Sequence, residues 1–400
     1  MDTPNANPAG PAGFEQITTT AAPAAYSSAA KVLHAAQRLF PDRQPPREVR
    51  IARAPWSLEM YLTMLCNVTC VHCYAKKRNE EYGFADMPLE MADRLHASIE
   101  RMGVRGVQYC GGGEPTLWHG GLVADYIARL DKATTRAGMA SNLIRGTALA
   151  RSEVLERMTF IEAAVFAYDD ATYRQVAGGK KSQSAMERAV REIRAVRDAA
   201  GLQGPKVNAK VLINNVNYTW LERIYDWAER TGFDNIHIRL VDDYENLGGF
   251  TLNAAQRESF RADLEHLADQ RGLASWKRQI PHIMGEGAKG AAGPHRWCWT
   301  VAAGLNCWVL ANGEVYACGP QWGRQEYLIG NLNDADLEDI WGSERHHEVA
   351  RRLIANMGLS GCYKLGCRHI HQTRAIDAWT AGDLPTPGPE EFADQHAWFL

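Results

Sequence analysis

The stretch LCNVTCVHCYA, residues 65–75, sets Cys66, Cys70 and Cys73 in a CxxxCxxC spacing, within a 400-residue chain that has nine cysteines. Thiolates spaced this way are ligands for zinc or for an iron–sulfur cluster. Structural zinc takes four protein ligands, whereas this stretch supplies three and has no fourth cysteine nearby. A four-iron cluster held by three thiolates keeps one iron free of protein, and that iron can chelate a small molecule.

On either side of the cysteines, apolar runs alternate with helical periods. A strand at 58–63 leads directly into them. Pro88 then opens a helix whose apolar positions Met91, Leu95, Ile99 and Met102 keep helical spacing until Gly103 stops it, and a second strand follows at 104–109. Further strands are expected at 139–142, 160–168, 207–213 and 236–241, separated by amphipathic helices. Such alternation demands parallel strands with helical crossovers, an α/β architecture. Six units suit a partial (β/α)6 barrel better than a closed eightfold one. At the end of the second strand stands YCGGGEPTLW, with Gly111, Gly112, Gly113, Glu114 and Pro115. Glycines let a ligand approach the backbone closely, and strand-end amides and carbonyls can bind an amino-acid moiety.

Taken together, CxxxCxxC after the first barrel strand and GGGEP after the second resemble the radical S-adenosylmethionine (SAM) superfamily, a similarity that extends over residues 55–245. It implies a [4Fe–4S] cluster on Cys66, Cys70 and Cys73, with an open site for SAM. It also implies that GGGEP holds the methionine amino group and that His72, before the third cysteine, packs near the adenine. Ser141 and Asn142 in SNLIRG resemble the third-strand SAM contact, and Asn214 ends the fifth strand where polar SAM contacts are common. The fourth strand ends in FAYDD, which departs from the frequent Ser-Leu-Asp pattern by placing Ala167 where serine is common. The chemistry implied is one-electron reduction of SAM, fed by a donor such as flavodoxin or ferredoxin. Carbon–sulfur cleavage then gives a 5′-deoxyadenosyl radical that abstracts hydrogen.

A second cysteine group comprises Cys298, Cys307, Cys318, Cys362 and Cys367. Asn312, Gly313 and Glu314 between two alternating runs signal a hairpin that returns Cys318 beside the preceding strand. The order, with IGNL and IW between cysteine pairs, resembles the SPASM and twitch extensions of radical SAM enzymes. Full SPASM domains carry more cysteines for two auxiliary clusters, so one auxiliary [4Fe–4S] cluster is expected here. The preferred ligands are Cys298, Cys318, Cys362 and Cys367, with Cys307 able to replace one of them, and structural zinc is the alternative.

With 46% hydrophobic and 23% charged residues and a formal net charge of −3, the chain reads as an ordinary globular enzyme, not a binder of nucleic acid or anionic membrane. It has no apolar run long enough for a membrane span and no secretory signal, so a cytoplasmic protein is expected. Five segments are expected: a mobile or loosely docked extension over 1–48, with a possible short helix near 29–40; the barrel over 49–250; a helix and Gly-rich linker over 251–293; the auxiliary domain over 294–372; and a tail over 373–400 whose last residues dock on the body. On strands five and six, Lys210, His237 and Arg239 alternate with apolar neighbours and could point into the barrel. Asp242 at the mouth of strand six is a candidate base, and Cys110 a candidate hydrogen donor unless it is a core residue.

Residues 1–48 are too short and too poor in apolar period for a folded leader-binding domain of the kind peptide maturases often carry. The expected substrate is therefore a small polar molecule resembling a sugar, aminocyclitol or nucleoside, dehydrogenated or epimerised at a carbinol-type carbon. Peptide maturation and sulfur insertion are the enzymatic alternatives. A non-catalytic iron–sulfur carrier or scaffold is the alternative of a different class, although such a protein has no use for a SAM pocket.

Overall fold

The computed structural model describes residues 32–33, 35–44, 48–73, 75, 79–80, 83, 86–179, 182–243, 248–284, 297–356, 367, 369–386 and 399. The expected linker at 285–294, Cys362, Trp398 and Leu400 lie outside them.

A nine-stranded sheet in the order β6-β5-β4-β3-β2-β1-β7-β8-β9 organises the chain. Strands β1 (Ser57–Met60), β2 (Gly106–Tyr109), β3 (Arg136–Ser141), β4 (Met158–Val165), β5 (Lys206–Ile213) and β6 (Asn235–Leu240) pair in parallel with their sequence neighbours. This is the expected six-unit partial barrel. On the other side of β1, strand β7 (Asn306–Val309) also pairs in parallel. Then β8 (Glu314–Tyr316) and β9 (Leu328–Asn331) return antiparallel, the first through the expected Asn-Gly hairpin. The auxiliary region thus continues the barrel sheet, and β9 was not foreseen as a strand.

Helix α1 (Leu89–Met102) shows how the sequence builds a crossover. Met91, Leu95 and Ile99 face the core, and Gly103 at φ 72° closes the helix with its amide bonded to Ile99 and Glu100 carbonyls. The other crossovers include α2 (Val123–Arg129), α3 (Asp170–Ala177), α4 (Ser182–Ala199) and α5 (Leu221–Thr231). Strand residues of one parity, such as Leu58, Val107, Ile161, Val207 and Ile236, are buried in the apolar core. The opposite parity, including Glu59, Gln108, Gly138, Glu162, Lys210 and His237, lines the inner face. Phe160 belongs to that face near the start of β4, and the buried Phe399 packs on it edge-to-face at 4.9 Å. The chain's end therefore covers the inner face at the end remote from the cysteine loop.

The short helix expected near 29–40 is present, and its described residues are docked on the body. Residues 32–33 and 35–39 are helical, and Val32, Leu33, Ala35, Ala36 and Phe40 are buried against Trp299, Leu305, Ile376 and Trp379. Apolar contacts of about 1.5–3 kcal/mol per large side chain hold it there. The packing ties it to α6 (His369–Ala381), the helix after Cys367.

Two buried imidazoles make stability depend on pH. His96, on α1, lies against Tyr126 and the Tyr109 hydroxyl, and burial lowers it to about 4. His346, edge-to-face with Trp341 and accepting from the Gly342 amide, is lowered by burial to about 3. Both stay neutral in the folded protein, while the unfolded chain takes up protons near the ordinary value of about 6.5. Stability is therefore full above that value and falls as pH drops, by about 2 kcal/mol per imidazole by pH 5. Anaerobic thermal unfolding should show a melting temperature that declines from pH 7 to pH 5, with a shallower decline in His96→Gln; equal slopes would contradict this origin.

Candidate active site at the strand ends

The cysteine loop and the glycine turn are joined backbone to backbone. Gly113 and Glu114 amides donate to the Thr63 and Leu65 carbonyls at 2.9 and 2.8 Å, and Asn79 Nδ2 donates to both the Met64 and Gly112 carbonyls at 2.8 Å. A Cβ on Gly113 would fall 1.9 Å from the Leu65 carbonyl oxygen, and one on Gly111 1.9 Å from the Tyr61 ring. The glycines are thus required by the close approach of the two segments.

Glu114 is the hub. Its Oε1 accepts from the Thr116 amide at 3.0 Å and from the Thr116 and Ser141 hydroxyls at 2.7 Å, while Oε2 accepts from the Asn142 amide at 2.7 Å. Pro115 follows as the first residue of a 3-10 turn. Asn142 Nδ2 reaches Asn67 Oδ1 at 2.7 Å and lies 4.0 Å from Cys66 Sγ. Across the site, Asn214 Nδ2 lies 3.3 Å from His72 Nδ1, and the His72 ring packs on Phe166 at 5.0 Å. Burial lowers His72 to about 4, so it presents a neutral aromatic ring. Every SAM-side residue named from the sequence therefore belongs to this one group of strand-end loops.

The cysteine triad fits a cluster in the chemistry of its donors. Burial pushes the Cys66 thiol up to about 11, against the Val68 amide, and Glu114 and Cys73 add to the rise. Cys70 is raised well above its ordinary value by burial and then by Cys73 and Cys66. Thiols that resist ionisation in one another's company become thiolates when metal supplies the compensating charge. Among the described residues, no three His, Cys, Asp or Glu side chains are grouped to hold one metal ion. A cluster asks for a different arrangement, one thiolate per iron.

Further down the inner face, Lys210 Nζ pairs with Glu162 Oε2 at 2.7 Å, and His237 Nδ1 lies 3.6 Å from Glu162 Oε1. Burial opposes ionisation of Glu162, but Lys210 and His237 outweigh it and hold the carboxyl well below the usual range. Lys210 and His237 thus meet on a glutamate that the sequence reading missed although strand alternation gives it the same face. Arg239 is exposed on β6, which forms the sheet edge, and Asp242 is exposed just past that strand. Cys110 is buried on the inner face at the end of β2, its Sγ donating to Glu59 Oε2 at 3.4 Å.

In the second group, Cys298 caps the short helix Trp299–Ala302, Cys318 follows β8, and Cys367 precedes α6. Helix α6 bonds back to the Cys298 segment through Thr373 Oγ1, which accepts from the Trp299 amide at 3.3 Å. Cys307 differs: it lies opposite Leu58 in the β1–β7 pair, fully buried, and burial alone raises its thiol.

Comparison with known proteins agrees with this geometry. A model of the Radical SAM superfamily matches residues 60–228, and a model of the SPASM iron–sulfur cluster-binding domain matches residues 298–367. Mycofactocin maturase MftC of Mycolicibacterium smegmatis is 25% identical over 350 residues, which cover 84% of this chain and 82% of that protein. MftC of Mycobacterium tuberculosis (strain ATCC 25618 / H37Rv) is 26% identical over 361 residues, covering 84% and 83%. Among solved structures, histidine-tagged anSMEcpe with bound AdoMet has a TM-score of 0.55 at 14% identity, covering 86% of this chain and 99% of that one. Streptococcus suis SuiB bound to precursor peptide SuiA has a TM-score of 0.53 at 14% identity, covering 78% and 68%. The fold, the cysteine triad with its glycine turn and the two family matches agree: this chain belongs to the radical SAM superfamily and carries a C-terminal SPASM domain, with the [4Fe–4S] cluster, SAM and auxiliary iron–sulfur chemistry that the pair implies.

Proposed function

We propose that this radical SAM enzyme matures a peptide. The observation that carries the reading is the similarity to mycofactocin maturases along 84% of the chain. The expectation of a carbohydrate-like substrate rested on residues 1–48 lacking a leader-binding fold, and it gives way to its peptide alternative. When bound, the cluster and SAM supply a 5′-deoxyadenosyl radical that takes hydrogen from an unactivated C–H bond. Glu114, Ser141 and Asn142 orient the methionine end, while His72 and Asn214 flank the adenine side. Lys210, with the charge of Glu162 beside it, offers its remaining N–H donors to the peptide, and His237 extends the polar wall. Cys298, Cys318, Cys362 and Cys367 hold one auxiliary cluster, and Cys307 is left to core packing. A low-potential carrier such as flavodoxin or ferredoxin supplies the electron.

Anaerobically reconstituted protein should contain about eight irons, and Cys66/Cys70/Cys73→Ala about four, with 5′-deoxyadenosine formation lost. About four in the unmodified protein and none in the variant would remove the auxiliary cluster from the scheme. With dithionite and SAM, mass spectrometry should find a changed mass on a mycofactocin precursor peptide and none on amino sugars or nucleosides; the reverse outcome would overturn the peptide reading. Lys210→Met should raise the KM for that peptide by about tenfold or more, the loss expected for a charge-assisted hydrogen bond, while SAM cleavage without peptide stays unchanged. An unaltered KM would remove Lys210 from substrate binding.

A further inference from the structure

One buried polar group beside the cysteine loop has no role in the site as described. Tyr173, on α3, is fully buried, and among the described residues its hydroxyl has no hydrogen-bond partner. A buried hydroxyl left unsatisfied costs about 1–3 kcal/mol, and most find an acceptor. The docking of α3 sets this helix against the cysteine loop. Thr69 and Val71 amides, on either side of Cys70, donate to the Ala177 and Val176 carbonyls at the end of α3, both at 2.9 Å. Ala177 is four residues beyond Tyr173, so the two share the helix face turned to the cysteine loop. The Tyr173 ring lies 5.7 Å from Phe166, which also packs on His72, next to Cys73. After burial, the groups that act most on the phenol are Cys70, Glu114 and Cys66, in that order. No feature of the sequence singled out this tyrosine.

We propose that the Tyr173 hydroxyl donates a hydrogen bond to a sulfur of the reducing cluster, on the side of Cys70 and Cys66, and thereby raises its reduction potential. Reduction adds negative charge to the cluster, and a donor aimed at its sulfurs stabilises that charge. Tyr173 is thus a tuning residue for the cluster and not a substrate contact. The inference rests on superfamily membership alone and is independent of whether the substrate is a peptide.

The test is a redox titration of anaerobically reconstituted full-length protein without SAM, followed by electron paramagnetic resonance. The reducing cluster is identified as the signal that SAM, added afterwards, perturbs. Tyr173→Phe removes only the hydroxyl and should keep the iron content while moving that signal's midpoint to a more negative potential. A fluorotyrosine at position 173, a stronger donor, should move it the other way and decides the matter if the phenylalanine variant loses iron. Unchanged midpoints with iron retained would overturn the proposal. So would a shift that appears only once SAM is bound, which would assign the hydroxyl to SAM.

Discussion

The buried carboxylate of Glu114 is the constraint on which the site depends. A carboxylate taken from water is strongly destabilising unless donors replace its hydration. Here the donors come from two places, Thr116 in the same turn and Ser141 and Asn142 at the end of β3. Satisfying the charge therefore fixes the distance between strand ends β2 and β3. The Glu114 amide, bonded to Leu65, extends the same tie to the residue before Cys66. Three loops far apart in sequence are thereby held in one geometry, with the cysteines at its rim.

The sheet carries that geometry outward. Strand β1 has a parallel neighbour on each side, and Glu59 stands in register with Gln108 on β2 and Trp308 on β7. The auxiliary region is consequently hydrogen-bonded to the strand that launches the cysteine loop, not hung from it by a tether. Outside the sheet, α1 is joined to the same region through Arg94 to Asp336 at 3.2 Å and Arg101 to Glu338 at 2.5 Å. Those pairs lie at the surface, partly buried, and contribute little each; the continuous sheet is the stronger connection.

Much of this was legible because it depends on local pattern. Six strands with helical crossovers follow from periodicity, and the cysteine and glycine spacings place ligand groups at strand ends. What escaped the sequence depends on contacts between distant segments. Asn79 sits in a polar run with no periodic signal, yet its amide clamps two loops. Glu162 has the same parity argument as Lys210, but a glutamate between apolar residues reads equally well as a solvent-facing one. The N-terminal segment, poor in large apolar residues, looked mobile because its partners, Trp299, Ile376 and Trp379, lie about three hundred residues away.

That last contact changes how the auxiliary cysteines are supported. Cys298 and Cys367 adjoin the Trp299–Ala302 helix and α6, whose facing side chains form a second apolar core with the N-terminal helix. The barrel's core takes in Cys298 and Val301 while Trp299 belongs to this second core, so the Cys298 segment sits where the two meet. Cys318 instead follows β8 of the main sheet. A cluster bridging these cysteines would join the two cores covalently, through bonds stronger than either apolar contact.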